Sequence, residues 1–495
     1  MPLRLRFLLD TNILIPLQDS MVVLQPSLTN FVRLCNANGH QLIYHPASRA
    51  DIRRDSNIAR LNRTLSRLEQ YTQLQEGPPC PWNTAQTSVN DACDNEILYA
   101  LERGAAHALV TEDQGLHRKA RARGLGDRVY FIQAADDWMR RLHERDQVQL
   151  PNIKDVELHT LTDQLQGSFF DSLRQGYDGF DDWFRRKAME GRHAWIYFND
   201  DDRSIAALCI YAVQSNERIN DEGDILEGDS LKLCTFKVGE QARGRKVGEL
   251  FLRAAFQYAT NHQCEYIFVH ANDGRHIHLK DLIEDFGFHR SGSYNGDGVY
   301  VKAHPVEPPT MAPEISPFEY VRRYYPHYIG GNDVQKFLVP IQPQFHEVLF
   351  PDYQDPGHAL PNSHPQRHVG NAIKLAYLCH TPNKRPHPGD VVLFYRSHDV
   401  RAVTTIGIVE RYEWSSSSDE IARMVSRRTV YSDREIEQMA AHSETKVMLF
   451  RLIEHFKNPI SYDALKQLRV VRGGIQSITK IDDESFSRIL HAAER

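Results

Sequence analysis

Near its start the chain reads RFLLDTNILIPL: an apolar strand, Phe7 to Leu9, hands Asp10, Thr11 and Asn12 straight to a helical pattern. Such a junction constrains the fold strongly. α/β proteins place ligands beyond the carboxyl ends of their strands, and here a carboxylate stands at one. Three more acidic positions follow, Asp51, Asp94 and Asp113, the last in AHALVTEDQGL, again a strand ending in Thr-Glu-Asp. Carboxylates converging from several strand ends suit a hard divalent cation, Mg²⁺ or Mn²⁺, because such ions take oxygen ligands. A site of that kind points to phosphodiester hydrolysis. The simpler reading of Asp10 and Asp113 is a helix N-cap, ahead of helices at 11–18 and 114–123.

At 495 residues the chain is too long for one core, and about three domains are expected. Seven cysteines, at 35, 80, 93, 209, 234, 264 and 379, form no CxxC pair, so neither a zinc knuckle nor a disulfide framework is signalled. Reduced thiols and a cytoplasmic location are expected, with neither a membrane span nor a signal peptide. Net charge is −6, distributed as +1 over residues 1–150, −7 over 151–304 and 0 over 305–495. No segment is globally basic, so any nucleic-acid contact must use local patches.

Two boundaries stand out, QVQLPNIKDVELHTL at 147–161 and the proline-rich HPVEPPTMAPEISPFEY at 304–320. The segments they separate read differently. The first alternates strands at 5–9, 41–45, 107–111 and 129–133 with helical patterns, which predicts a parallel sheet covered by helices. The second mixes strands at 194–199, 205–213, 231–238, 266–270 and 298–303 with helices near 178–190, 246–261 and 277–286. The third is strand-rich, with strands predicted at 346–350, 373–379, 390–396, 402–412 and 446–454, which suggests a small barrel.

FLLDTNILI, PASRADI, DACDNEILYAL and ALVTEDQGL together resemble a PIN domain over residues 5–145. The resemblance implies a metal-dependent ribonuclease with Asp10, Asp51, Asp94 and Asp113 as catalytic acids, and Asp10, Asp94 and Asp113 as ligands of Mg²⁺ or Mn²⁺. Thr11, Asn12 and Thr111 match the partners that orient the acids. Asp91 and Glu96 lie close enough to Asp94 to compete for its role, and Asp51 is the weakest match. Arg49, Arg53, Arg60, Arg63 and Arg67 fall within about 40° of one line at helical spacing, a face suited to RNA phosphate or simply to solvent.

LKLCTFKVGEQARGRKVGELFLRAAFQYA runs a strand through a glycine-bearing loop into an amphipathic helix, and LKDLIEDFGFHRSG closes a second helix on Gly287. Freed amides and the dipole at a helix start bind pyrophosphate well. These stretches resemble a GNAT acetyltransferase over 157–304. The resemblance implies acetyl-CoA held by Phe236, Lys237 and Val238 along the strand and by Arg243, Gly244, Arg245, Lys246, Val247 and Gly248 around the pyrophosphate. Lys246 stands where glycine is usual, and Ile283 stands where a tyrosine often serves as acid. Glu240, His270, His276 and His278 are other acid–base candidates, although each taken alone reads more readily as a polar side chain turned to solvent.

HPGDVVLFYRSHDVRAVTTIGIVERYEW and GGIQSITKIDDESFSRIL resemble the PUA-related barrels, the ASCH and EVE domains, over 340–492, with Arg396, Gln476, Ser477 and Lys480 as groove candidates. YVRRYYPHY at 320–328 reads either as a base-stacking segment or as a joining strand that packs its tyrosines. The expected architecture is thus α/β and multi-domain: a PIN-like parallel sheet with helices (1–148), a GNAT α+β mixed sheet (152–304), a proline-rich linker (305–318) and a small PUA-like β-barrel (319–495). The expected function is a Mg²⁺-dependent ribonuclease joined to an acetyl-CoA-dependent acyltransferase, with RNA as partner and a homo-oligomer or a neutralising protein as further partners. The alternatives are an RNA-binding regulator that senses acyl-CoA, or an acetyltransferase that uses the PIN fold as scaffold.

Overall fold

A computed structural model describes residues 3–18, 25–54, 61, 64–65, 68, 71–75, 77–82, 88–144, 152–199, 203–239, 242, 245–310, 314–353, 367–369, 372–383 and 385–494. The chain forms two compact units. One comprises Met1–Gln149 with Trp414–Val447, the other Leu150–Glu413 with Met448–Arg495.

The first unit is built on five parallel strands in the order β3-β2-β1-β4-β5: β1 Arg6–Leu9, β2 Gln41–Tyr44, β3 Thr72–Gln73, β4 Ala108–Val110 and β5 Val129–Tyr130. β1 lies in the middle and is apolar throughout after Arg6, as a strand covered on both faces must be. Phe7 packs edge-on against Phe31 and Trp138 on one side, while Leu8 joins Ile97, Leu98, Leu101 and Leu109 on the other. Residues 414–447 add helices Ser418–Val425 and Asp433–His442 to this unit. They bind it through Asp433 on His143 (3.2 Å), Ser426 on the Tyr130 hydroxyl (2.8 Å) and Glu437 on the Leu3 N–H (2.7 Å).

The second unit holds two sheets. Eight strands run in the order β11-β12-β10-β9-β8-β7-β6-β14: β6 Asn152–Glu157, β7 His193–Phe198, β8 Ile205–Ser215, β9 Asp229–Val238, β10 Tyr266–Ala271, β11 His289–Tyr294, β12 Asp297–Ala303 and β14 Arg367–Val369. Only β9 and β10 pair in parallel; the other pairings are antiparallel. Helix Val247–Asn261 buries Val247, Leu250, Phe251, Ala254, Ala255 and Phe256 in the same core as Leu231, Leu233, Ile267 and Val269. The second sheet is mixed, in the order β15-β18-β17-β16-β13-β19: β13 Lys336–Ile341, β15 Lys374–Cys379, β16 Val391–Arg396, β17 Ala402–Ser415, β18 Thr445–Ser461 and β19 Thr479–Ile481. It stands where a barrel was expected, with β15 and β19 as its end strands.

Several expectations need correction. Residues 346–350 are not a strand: helix Pro343–Leu349 covers most of them, because Pro343 at the first helical position presets φ and needs no N–H partner. YVRRYYPHY is no strand either. Helix Pro317–Tyr324, capped by Ser316, takes its first half, and Tyr320 and Tyr325 are buried, whereas Tyr324 and Tyr328 are half-buried. The Tyr320 and Tyr325 hydroxyls donate to the carbonyls of Pro309 and Leu452 at 2.6 Å. The arginine line does not lie on one described helix. Helix Pro46–Ile52 ends at Arg53, and Arg60, Arg63 and Arg67 lie outside the described residues.

Helix Pro317–Tyr324 is docked by its carboxyl end. Fully buried Lys302 donates to the carbonyls of Arg322 and Arg323, which the end of the helix leaves without intrahelical partners, while burial and the neighbouring Arg451 and Arg322 lower its pKa. Gly287, at φ +85°, lets the same carbonyls approach; a Cβ there would collide with Arg322 O. Gly287→Ala is therefore expected to destabilise the second unit by about 3 kcal/mol or more, through left-handed strain and the collision together. Urea unfolding of the variant against wild type, followed by tryptophan fluorescence, checks this.

Candidate functional site

The register of the eight-stranded sheet explains how its central opening arises. β8 pairs Tyr211 with Leu233 but Ile210 with Thr235, so Cys234 is an extra residue, a bulge in β9. A bulge reverses the alternation of side chains. Leu231 and Leu233 face the core under helix Val247–Asn261 before it, and Phe236 and Val238 pack against that core after it. The parallel pairing of β9 with β10 stops there, its last pair being Leu233 with Val269. The main chain of Thr235–Val238 thus turns one edge to β8 and leaves β10, opening a slot between the two parallel strands.

β9 leads into the helix start. Lys246 is the N-cap residue of helix Val247–Asn261 and is left-handed, at φ 60° and ψ 17°. That conformation is why glycine is usual at the position. Lys246 accepts about 1 kcal/mol of strain to place an ammonium at the helix start. Gly248 serves close approach: a Cβ there would sit 2.9 Å from Leu282. Arg245 donates to the Tyr197 hydroxyl at 2.6 Å, and Lys237 donates to Ser172 Oγ at 2.7 Å and to the Phe169 carbonyl. Phe236 packs edge-on against Phe251. Glu240, Arg243 and Gly244 lie outside the described residues.

One acid–base candidate stands beside the opening. Ile267, Val269 and Ala271 of β10 face the helix-side core, so His270 points to the opposite face, next to Phe268. Its Nε2 lies 3.2 Å from the Ile219 carbonyl, which can only accept, so Nε2 carries the proton and Nδ1 keeps its lone pair. Burial first, then the charge of Lys232, lowers its pKa to about 4. The ring is neutral at physiological pH. His276 is spent differently: its Nδ1 accepts the Asn272 N–H at 3.1 Å. His278 sits in helix Ile277–Asp285. Ile283 is fully buried, so no hydroxyl acid stands at its position.

In the first unit the register of β1 and β4 brings Leu9 opposite Val110, so Asp10 and Thr111 leave the sheet side by side. Thr111 Oγ1 donates to Asp10 at 2.7 Å, Asn12 Nδ2 at 2.9 Å and the Thr11 N–H at 2.7 Å. Burial raises the Asp10 pKa to about 6 against these donors, with Asp94 and Asp113 adding like charge. Asp10, Asp94 and Asp113 therefore share one field. Asp51 pairs with Arg54, and it and Asp94 both act on the Cys93 thiol. Asp113 caps its helix by accepting the Leu116 N–H at 3.0 Å. Sequence reasoning missed Lys119, whose ammonium bridges Asp91 (2.6 Å) and Asp94 (2.8 Å). Only the folded helix Gln114–Ala122 brings it there. As a donor set for Mg²⁺ or Mn²⁺ the cluster does not fit as it stands: among the described residues no three His, Cys, Asp or Glu side chains are gathered to hold a metal ion. The cation nearest Asp94 is the chain's own.

Comparison with known proteins bears on the second unit. Residues 158–288 match the acetyltransferase (GNAT) family. That GNAT segment contains the bulged β9, the loop, helix Val247–Asn261 and β10. Among solved structures, a GNAT-family acetyltransferase of Staphylococcus aureus Mu50 is 14% identical, covering 31% of this chain and 99% of its own, at a TM-score of 0.25. NAA60 of Arabidopsis thaliana in complex with acetyl-CoA is 13% identical, covering 30% and 99%, at 0.24. The ASCH protein of Zymomonas mobilis is 13% identical, covering 32% and 94%, at 0.25. No curated protein matches the chain. No described helix is long and apolar enough to cross a membrane.

Asp10 gives the first unit a measurable pH dependence. Its folded pKa lies above the unfolded value, so the folded state holds the extra proton between about pH 4 and 6, and stability falls as pH rises through that window. Asp10→Asn is expected to remove on the order of 2 kcal/mol of that fall, read from thermal unfolding at pH 5 and at pH 7.5.

Proposed function

We propose that the second unit transfers an acetyl group from acetyl-CoA to an amine. The observation that carries this reading is the parting of β9 from β10 at the Cys234 bulge, directly ahead of a helix start that carries Lys246. The edge of Thr235–Val238 that β10 no longer accompanies suits an extended, amide-containing arm, and the helix start suits a pyrophosphate. Arg243, Gly244, Arg245, Lys246, Val247 and Gly248 are the proposed cradle. His270 is the proposed base. As the amine nitrogen bonds to the thioester carbonyl carbon, the carbon–sulfur bond breaks. The amine proton passes to His270 Nδ1, and the leaving thiolate takes a proton from solvent, because Ile283 offers none.

Calorimetry with acetyl-CoA tests binding. Wild type is expected to bind, and Lys246→Glu to bind at least about tenfold more weakly, because a reversed charge faces the pyrophosphate. No binding by wild type sinks the reading. His270→Gln is expected to lower kcat about 10²-fold or more with little change in KM for acetyl-CoA. The acid limb of the wild-type rate should lie near pH 4 to 5, where His270 gains its proton, rather than near 6.5.

A second reading concerns the first unit, where the shared field of Asp10, Asp94 and Asp113 favours the ribonuclease that the PIN resemblance implies, on condition that a divalent cation displaces the Lys119 ammonium from Asp94. RNA cleavage in the presence of Mn²⁺ is expected to fall about 100-fold or more in both Asp10→Asn and Asp113→Asn. Undiminished cleavage by both variants refutes it. RNA binding without cleavage or acetyl transfer by wild type favours instead a regulator that senses acyl-CoA.

A further inference from the structure

Glu249 stands in the first turn of helix Val247–Asn261, the turn that faces the proposed pyrophosphate site. A carboxylate there opposes an anion, since the helix start is the pole that attracts one. The second sheet takes this carboxylate away. Glu249 Oε1 accepts the main-chain N–H of Lys374, the first residue of β15, at 2.6 Å. One turn further along, Arg253 pairs with Asp352, which lies 3.4 Å from His455 of β18. Helix Ile277–Asp285, which meets the helix start at Gly248 and Leu282, is clamped by the same two strands. Lys374 Nζ binds the Asp285 carboxylate, and buried Arg451 reaches its side chain and its main-chain carbonyl at 3.2 Å. Glu410 of β17 completes the cluster, 3.3 Å from Arg451 and 3.5 Å from Lys374.

We propose that Glu249 is a positioning residue through which the second sheet sets the affinity for acyl-CoA. While β15 holds the Glu249 carboxylate, its charge is withdrawn from the helix start. When β15 shifts, the carboxylate is released beside the pyrophosphate and repels it. The proposal rests on the acyl-CoA reading above.

Calorimetry with acetyl-CoA on the full chain tests it through two independent pairs of variants. Glu249→Asp keeps the charge but is too short for the Lys374 N–H, and should weaken binding about fivefold, whereas Glu249→Asn, equally short and uncharged, should stay within about twofold of wild type. Asp285→Asn loosens the clamp and should also weaken binding about fivefold, and adding Glu249→Gln should restore it, because the repelling charge is gone. A purely structural role predicts no rescue and no difference between Glu249→Asp and Glu249→Asn. Equal affinity of those two variants, beside normal wild-type binding, overturns this proposal alone. Absent wild-type binding overturns the acyl-CoA reading and the proposal with it.

Discussion

Two parallel strands that stop pairing halfway are the constraint around which the second unit is arranged. β9 and β10 pair through four residues and then separate at one inserted cysteine, Cys234. Parallel strands buried under a helix normally keep their ladder, because unpaired amides in a core are costly. The sheet tolerates the gap because every neighbour is braced. β8 stays paired with β9 up to Val238, β12 stays paired with β10 to its end, and helix Val247–Asn261 spans both strands from beneath. Rigidity on both sides of the opening is what allows the opening to persist.

Buried charges divide into two kinds. Lys302, Arg451 and Lys374 are buried, and each meets helix-end carbonyls or the partly exposed Asp285 carboxylate where separate stretches of chain come together. For Asp285, burial works against ionisation but Lys374 and Arg451 outweigh it, so its carboxyl lies below the usual range. Breaking such a pair leaves a stranded charge, which costs more than the pair contributes. Asp10 is the opposite case: hydroxyl and amide donors surround it, among the described residues no cation pairs with it, and its carboxyl is pushed upward. A group held ionised against its surroundings at neutral pH is a cost that packing does not explain, and it marks the place in the first unit where chemistry is to be sought.

Much of the fold could be read from the chain because the decisive strands are buried and short-range. The parallel sheet of the first unit follows from apolar runs ending in polar junctions, and the strand–loop–helix of the second from Lys246-Val247-Gly248 and the amphipathic stretch behind it. What escaped reading depends on distance in sequence. Nothing local reveals that Cys234 is an inserted residue, since only its partner strand shows the missing pair. Nothing local sends Lys119 to Asp94 or Lys374 to Glu249. The strand expected at 346–350 fails for another reason: apolar residues in a short run fit both a strand and a helix, and Pro343 decides for the helix.

Residues 414–447 carry a consequence of their own. They leave the second unit at the end of β17, complete the first unit, and return at the start of β18. The backbone therefore passes between the units three times, and neither unit is a continuous piece of polypeptide. During synthesis the sheet of the first unit, complete by Tyr130, emerges long before that unit's last two helices, Ser418–Val425 and Asp433–His442. Its His143 and Tyr130 spend that interval without Asp433 and Ser426, so a sheet made early is finished late.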